Sequence, residues 1–246
     1  MLLDVEHLKN KYGISCSGVA HIGAHFGQEI SEYKKHFGNI EIHLFEPQKE
    51  IFSKLIDEFK DQRNIFFYNT ALGEEQGTTL MFNADNDGQS SSILEPKLHL
   101  EIHPEVVFEN SQNIDIDTFD NFYLNNVNFL NIDTQGYELK VLMGAENSLL
   151  KNIDYIICEV NKKELYKDCA LVKDVDNYLR NFGFIRTDTH FWQDKYPWGD
   201  AFYIKKKYLK KPTIFFSKFK NFIYSFDYLF PLIIALRNFL WKMRDK

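Results

Sequence analysis

Cysteine is scarce: Cys16, Cys158 and Cys169 are odd in number and nowhere form a CxxC pair. That excludes a disulfide framework or a zinc knuckle and points to a reducing compartment. Glycine and proline are also few, 12 and 6 in 246 residues, which removes the collagen-like and low-complexity classes. No internal repeat is visible. The opening Met1-Leu2-Leu3-Asp4-Val5-Glu6 has neither a basic n-region nor a continuous apolar stretch, so no secretory signal is expected there. GxGxxG is absent too, which counts against a dinucleotide site.

What is present is an ordinary globular composition, 44% hydrophobic and 26% charged, with an uneven charge distribution. Residues 205–246 hold eleven Lys and Arg against two acids, a net +9, so the rest of the chain carries −15. An acidic body of residues 1–205 joined to a basic, aromatic tail of residues 206–246 implies two jobs, with only the tail suited to an anionic surface.

Within the body, apolar runs at Val19–Ile22, Ile40–Phe45, Ile65–Tyr68, Val127–Ile132, Ile153–Val160, Phe184–Thr187 and Ala201–Ile204 predict buried strands. Helical spacing falls between them: Ile51, Leu55 and Phe59; then Leu139, Leu142, Ala145 and Leu149; then Val175, Leu179 and Phe182, closing at Gly183. The alternation predicts an α/β fold, a doubly wound, mostly parallel seven-stranded sheet with helices on both faces. Its ligand should lie at the carboxyl ends of the strands. Residues 84–113 lack sustained periodicity and are too long for a plain connector, so a lid or substrate insert is expected there.

The chemistry-bearing residues fall at those strand ends. His21-Ile22-Gly23-Ala24-His25-Phe26-Gly27 follows the first strand, where small residues let the backbone turn sharply and approach a nucleoside ligand. Nineteen residues after Gly27, Phe45-Glu46-Pro47 puts a carboxylate where it can accept both ribose hydroxyls, or merely charge a helix start. Asn69-Thr70-Ala71 ends the third strand and would line a base pocket or form an ordinary turn. Asn131-Ile132-Asp133-Thr134-Gln135-Gly136-Tyr137-Glu138 delivers Asp133 to the mouth of the cleft, as a catalytic group or as a cap. Glu159 and Asp200 stand at later strand ends and would face a substrate. His99 and His103 have helical metal-ligand spacing, but Pro104 follows and no acidic partner is fixed, so no metal is expected.

Taken with Ser90-Ser91-Ser92-Ile93-Leu94 and Ile116-Asp117-Thr118-Phe119, these motifs make the chain, from about Gly18 to Lys205, resemble the FkbM family of class I methyltransferases. The resemblance implies S-adenosyl-L-methionine as cofactor and O-methyl transfer to a sugar, glycan or polyketide hydroxyl. The binding set for that cofactor would be His21, Gly23, Ala24, Gly27, Glu46, Asn69, Thr70, Ala71 and Asp133; family members generally carry Asp where His21 stands. An alcohol attacking a sulfonium methyl must lose a proton, and the candidate bases rank as Asp133, then His25, then Asp200. Ser90, Ser91, Ser92, Gln135, Tyr137, Glu159 and Asp200 would meet the acceptor, with Glu138 outside that set. The rival readings are a nicotinamide-dependent oxidoreductase and a binding module that no longer transfers methyl groups. Nucleic acid is not an expected partner, since the body is acidic and no Asn-Pro-Pro-aromatic segment occurs.

In the tail, Ile223–Trp241 is nearly long enough to span a bilayer, but Asp227, Pro231 and Arg237 interrupt it. Lysines beside phenylalanines at 210–222 favour an in-plane anchor on anionic lipid, with a helix pair packed on the body or on a second subunit of a homo-oligomer as the alternative. The expected location is therefore cytoplasmic and peripheral at the inner face of a membrane, with a lipid-linked glycan precursor as acceptor.

Overall fold

A computed structural model describes residues 2–108, 110–192 and 197–224. Seven strands form the main sheet: β1 (Gly18–Ile22), β2 (Glu41–Phe45), β3 (Ile65–Tyr68), β7 (Phe129–Ile132), β8 (Tyr155–Asn161), β9 (Phe184–Phe191) and β10 (Trp198–Lys205). Their order is β3-β2-β1-β7-β8-β10-β9. β10 runs antiparallel to both its neighbours, so the sheet is mixed, with the other strands parallel. All seven predicted strands are there. β1, β7 and β8 are buried along their whole length, which is why they read as mainly apolar runs broken by single polar residues such as His21, Asn131 and Glu159.

Helices α1 (Val5–Tyr12), α2 (Ile30–Phe37) and α3 (Lys49–Phe59) bury Leu8, Tyr33 and Leu55 in a core with Ile42 and Ile157. On the opposite face α5 (Glu138–Met143), α6 (Glu146–Lys151) and α7 (Val172–Asn181) pack Val141, Leu149 and Leu179 against Ile132 and Cys158. The expected single helix through 139–149 is divided at Gly144, where the Gly73 carbonyl lies so close that a Cβ would overlap it, and the start of α6 is held by the Asp120 carboxylate, which accepts from Asn147 N at 2.8 Å and Ser148 N at 3.0 Å. The Gly144 carbonyl instead accepts from Asp120 N at 3.0 Å.

Sequence periodicity did not reveal a second sheet, β4 (Ala71–Leu72), β6 (Asn110–Asp117) and β5 (Gly77–Asn83), in that order. It claims the last four residues of the expected 84–113 insert as a strand. The rest of the described insert is folded, with a short helix α4 (His99–Ile102) and a bridge between Phe82 and Ser92.

In the tail, α8 (Lys211–Tyr224) packs on β9, the edge strand of the main sheet. Among the described residues no helix is long and apolar enough to cross a membrane. The expectation for Ile223–Trp241 falls mostly on residues 225–246, outside the described ones.

Candidate active site

The chain runs outward from β1 to β3 on one side and resumes with β7 on the other, so the strand order reverses between β1 and β7. A cleft of about 690 Å³ opens at the carboxyl ends of these strands, where doubly wound sheets take their ligands. The two sides of the reversal are bound tightly: Asp133 N donates to Ile22 O at 3.0 Å, and Gly23 N and Ala24 N both donate to Phe45 O at 3.0 Å. Gly23 has φ +79°, and a Cβ on it would overlap the Asp133 carbonyl, so only glycine fits.

One end of the cleft is built around Glu46, which is 2% exposed at the end of β2. Its Oε2 accepts from His25 N at 3.0 Å and its Oε1 from Gln48 N at 2.8 Å. Burial raises its pKa against the pull of these bonds. Each oxygen retains a lone pair for a further donor. Asn69 does not line the cleft; its amide donates to the Glu46 carbonyl at 2.9 Å and the Pro47 carbonyl at 3.1 Å, fixing the turn that presents Glu46. Thr70 and Ala71 do line it.

The other end is acidic. Asp133, Glu159 and Asp200 line it together with Glu29. Gln135, at φ +54°, donates through Nε2 to Asp133 Oδ1 at 2.8 Å and to Glu159 Oε2 at 3.1 Å. Burial, and then the neighbouring carboxylates, push Glu159 well above its ordinary range. Asp133 is also raised, first by burial and then by Asp200, while the Gln135 amide opposes the shift. Asp200 lies opposite Glu159 in the β8–β10 register and accepts from Leu2 N and Leu3 N, and burial raises it too. Behind them Glu138, 2% exposed, accepts from Thr134 N and Gly136 N at 3.0 and 2.9 Å; burial lifts its pKa to about 7.

Several expected ligands have other partners. His25 lines the cleft, but Nε2 bonds the Asp87 carbonyl at 2.8 Å and Nδ1 takes the Gln28 amide at 3.0 Å, so neither ring nitrogen is left to act as a base. Gly27 does not line the cleft; with φ +74°, it makes room for Ile30, Leu55 and Phe59. The serines mainly brace the insert. Ser90 Oγ bonds Asn86 and His99, Ser91 Oγ accepts from Ala84 N, and Ser92 Oγ, off the cleft, donates to the Gln135 carbonyl at 2.7 Å. Tyr137 lines the cleft beside Met81.

His21 lines the cleft and is 3% exposed, with Nε2 3.2 Å from the Asn131 amide and Nδ1 3.4 Å from the Tyr33 hydroxyl. Burial lowers its pKa and favours the neutral ring, against the pull of the Glu29 carboxylate 3.9 Å away. Asn131 is the informative partner: the parallel register sets it beside His21, a pairing that local periodicity cannot reveal. Trp198 and Leu165 also line the cleft, and Trp198 stacks on Trp192 at 5.7 Å between ring centroids. Among the described residues no group of three or more His, Cys, Asp and Glu side chains is disposed to hold a metal. His99 bonds Ser90, and His103 bonds Glu105.

The strand order, and the cleft at its reversal, are those of the class I methyltransferase fold. The Methyltransferase FkbM domain family model matches residues 21–186, and the chain belongs to that family. Among solved structures it is similar to the FkbM methyltransferase from Methylobacillus flagellatus KT, at 16% identity and TM-score 0.51, over 77% of this chain and 44% of that one. The chain thus spans less than half the length of that relative. It is also similar to the magnesium protoporphyrin IX methyltransferase from Synechocystis PCC 6803, solved with bound S-adenosylmethionine (7% identity, TM-score 0.46, 81% and 74% covered). A third is TrmK from M. capricolum, in complex with S-adenosylhomocysteine (12% identity, TM-score 0.45, 87% and 75% covered). No curated protein matches the chain in sequence. Membership of this methyltransferase family is consistent with S-adenosylmethionine as the cofactor.

Proposed function

We propose that the protein transfers a methyl group from S-adenosylmethionine to a hydroxyl of a sugar or glycan precursor. The observation that carries this reading is the unlike chemistry of the two cleft ends. At one, Glu46 offers acceptors for a ribose diol, and its strand lies two strands from that of Asp133, about 10 Å across the sheet. At the other, carboxylates provide a negative field suited to a cofactor with sulfonium and ammonium charges. Bound there, the cofactor supplies an electrophilic methyl group.

The chain's own part is to align the acceptor and take its proton. Asp133 is the base: it stands at the end of β7, and the Gln135 amide stabilises its ionised form. Burial and the neighbouring carboxylates raise Glu159 well above its ordinary range, which favours Asp133 as the carboxylate that ionises first. Trp198 offers a flat apolar platform for a pyranose ring, whose hydroxyls can bond Glu159 and Asp200. The folded insert closes one wall and excludes water.

The test is titration of the full chain with S-adenosylmethionine and with NAD, followed by methyl transfer to nucleotide sugars and lipid-linked glycans. Selective binding of S-adenosylmethionine is expected, with Glu46→Gln weakening it about 10–100-fold as charge-assisted hydrogen bonds become neutral ones. Asp133→Asn should lower kcat about 10²–10⁴-fold, the usual worth of a general base, a larger loss than the weakening of cofactor binding caused by removing one carboxylate from the acidic end. Full activity in Asp133→Asn would remove Asp133 as the base; preferential NAD binding would overturn the methyltransferase reading.

A further inference from the structure

Helix α8 is fastened to the body along one side. Ser217 is 7% exposed on that side, and the Asn221 amide donates to the Arg186 carbonyl of β9 at 2.9 Å. At about 100° per residue, Phe215, Phe216 and Phe219 fall on the other side, where they are 66%, 66% and 54% exposed. The Phe215 and Phe219 rings lie nearly parallel, 6.5 Å between centroids, as part of one apolar stripe. Lys211 and Lys218 border the stripe on one edge and Lys220 on the other. Residues 205–224 hold seven lysines and not one Asp, Glu or Arg.

Three adjacent phenylalanines this exposed mark a contact surface. Its chemistry favours lipid over protein, because protein interfaces are enriched in arginine and depleted of lysine, whereas every cation here is lysine. Lysine beside the stripe lets the stems cover its apolar edge while the ammonium groups of Lys211 and Lys218 reach phosphates. Over its 14 described residues the helix is about 21 Å long, enough to lay the stripe along a surface.

We propose that this face of α8 lies in the plane of an anionic phospholipid surface, its phenylalanine rings at the headgroup boundary and its lysines on the phosphates. The contact is separate from methyl transfer, and it would hold the cleft beside membrane-borne acceptors.

Flotation of the full chain with vesicles of phosphatidylcholine, with and without phosphatidylglycerol, tests it. The chain should float with the anionic vesicles and not with the neutral ones. The triple variant Phe215→Ser, Phe216→Ser, Phe219→Ser should lose at least tenfold in bound fraction, with unchanged melting temperature and cofactor affinity. Lys218→Glu should weaken partitioning about fivefold or more, since each basic residue near such a surface is worth about 1 kcal/mol. Absence of flotation, or equal flotation with neutral vesicles, overturns the proposal. Undiminished flotation of the triple variant overturns it in favour of residues 225–246. Self-association that the same variant abolishes, without vesicle binding, overturns it in favour of a second copy.

Discussion

Replacing Glu138 with Gln should stabilise the protein by an amount that grows with pH. Glu138 is 2% exposed, and the bonds from Thr134 N, Thr134 Oγ1 and Gly136 N all end on one oxygen, Oε1, which Gln retains. Burial raises its folded pKa from 4.5 to about 7, so the folded state binds the proton more tightly than the unfolded chain does. Where the folded state holds more protons, stability falls as pH rises; here that window runs from about 4.5 to about 7. Gln, which cannot ionise, escapes the loss. With 1.36 kcal/mol per pKa unit, its advantage is about 1 kcal/mol at pH 5 and about 3 kcal/mol at pH 8. For a chain of this size that is a Tm difference of roughly 2–4 °C widening to roughly 6–12 °C. Melting of the cofactor-free wild type and Glu138→Gln across pH 5–8.5, followed by circular dichroism, reads the difference directly. A constant gap, or one that narrows with pH, would refute the assignment of a buried, proton-holding carboxylate.

Three further outcomes follow from the same geometry. Because burial raises Asp133, Asp200 and Glu46, a cationic cofactor should bind more tightly as pH rises from 5.5 to 8, with S-adenosylhomocysteine showing a shallower dependence in calorimetry; equal slopes would exclude a role for the sulfonium charge. Gly23→Ala forces a side chain into a left-handed conformation costing about 1–2 kcal/mol and into the Asp133 carbonyl. It should therefore lower Tm by at least about 4 °C and abolish S-adenosylmethionine binding in the folded fraction. Leu179→Ala empties a fully buried site on α7 and should cost about 2–5 kcal/mol in urea denaturation while leaving cofactor affinity unchanged.

The main sheet was legible in the sequence because its central strands are buried on both faces, so burial alone marks them. The small sheet was not. β5 reads Gly-Thr-Thr-Leu-Met-Phe-Asn with only Met81 buried, and β6 opens on Asn-Ser-Gln-Asn, so only Ile114 and Ile116 hint at a period of two. The site divides similarly. That Glu46 and Asp133 would line the cleft was legible because strand ends are predictable from strands. His25 looked equally suited to take a proton, but its ring nitrogens are occupied by Gln28 three residues away and Asp87 sixty-two away, and no local pattern encodes the second contact. Gly27 and Ser92 are set by packing and bracing across distant segments, which spacing along the chain cannot show.

The bond from His25 to Asp87 has a companion, the Gln48 amide to the Gly88 carbonyl at 3.2 Å, and together they tie residues 87–88 to both turns that flank Glu46. A Cβ at Gly88, where φ is +76°, would overlap Gln48. Under the proposed function, the segment that would choose the acceptor is therefore also a wall of the cofactor pocket, so the two could not be exchanged as separate modules. Grafting the insert of a relative to change acceptor preference would transplant a cofactor defect with it unless the turn at Asp87 and Gly88, and its partners at 25 and 48, travelled as one unit.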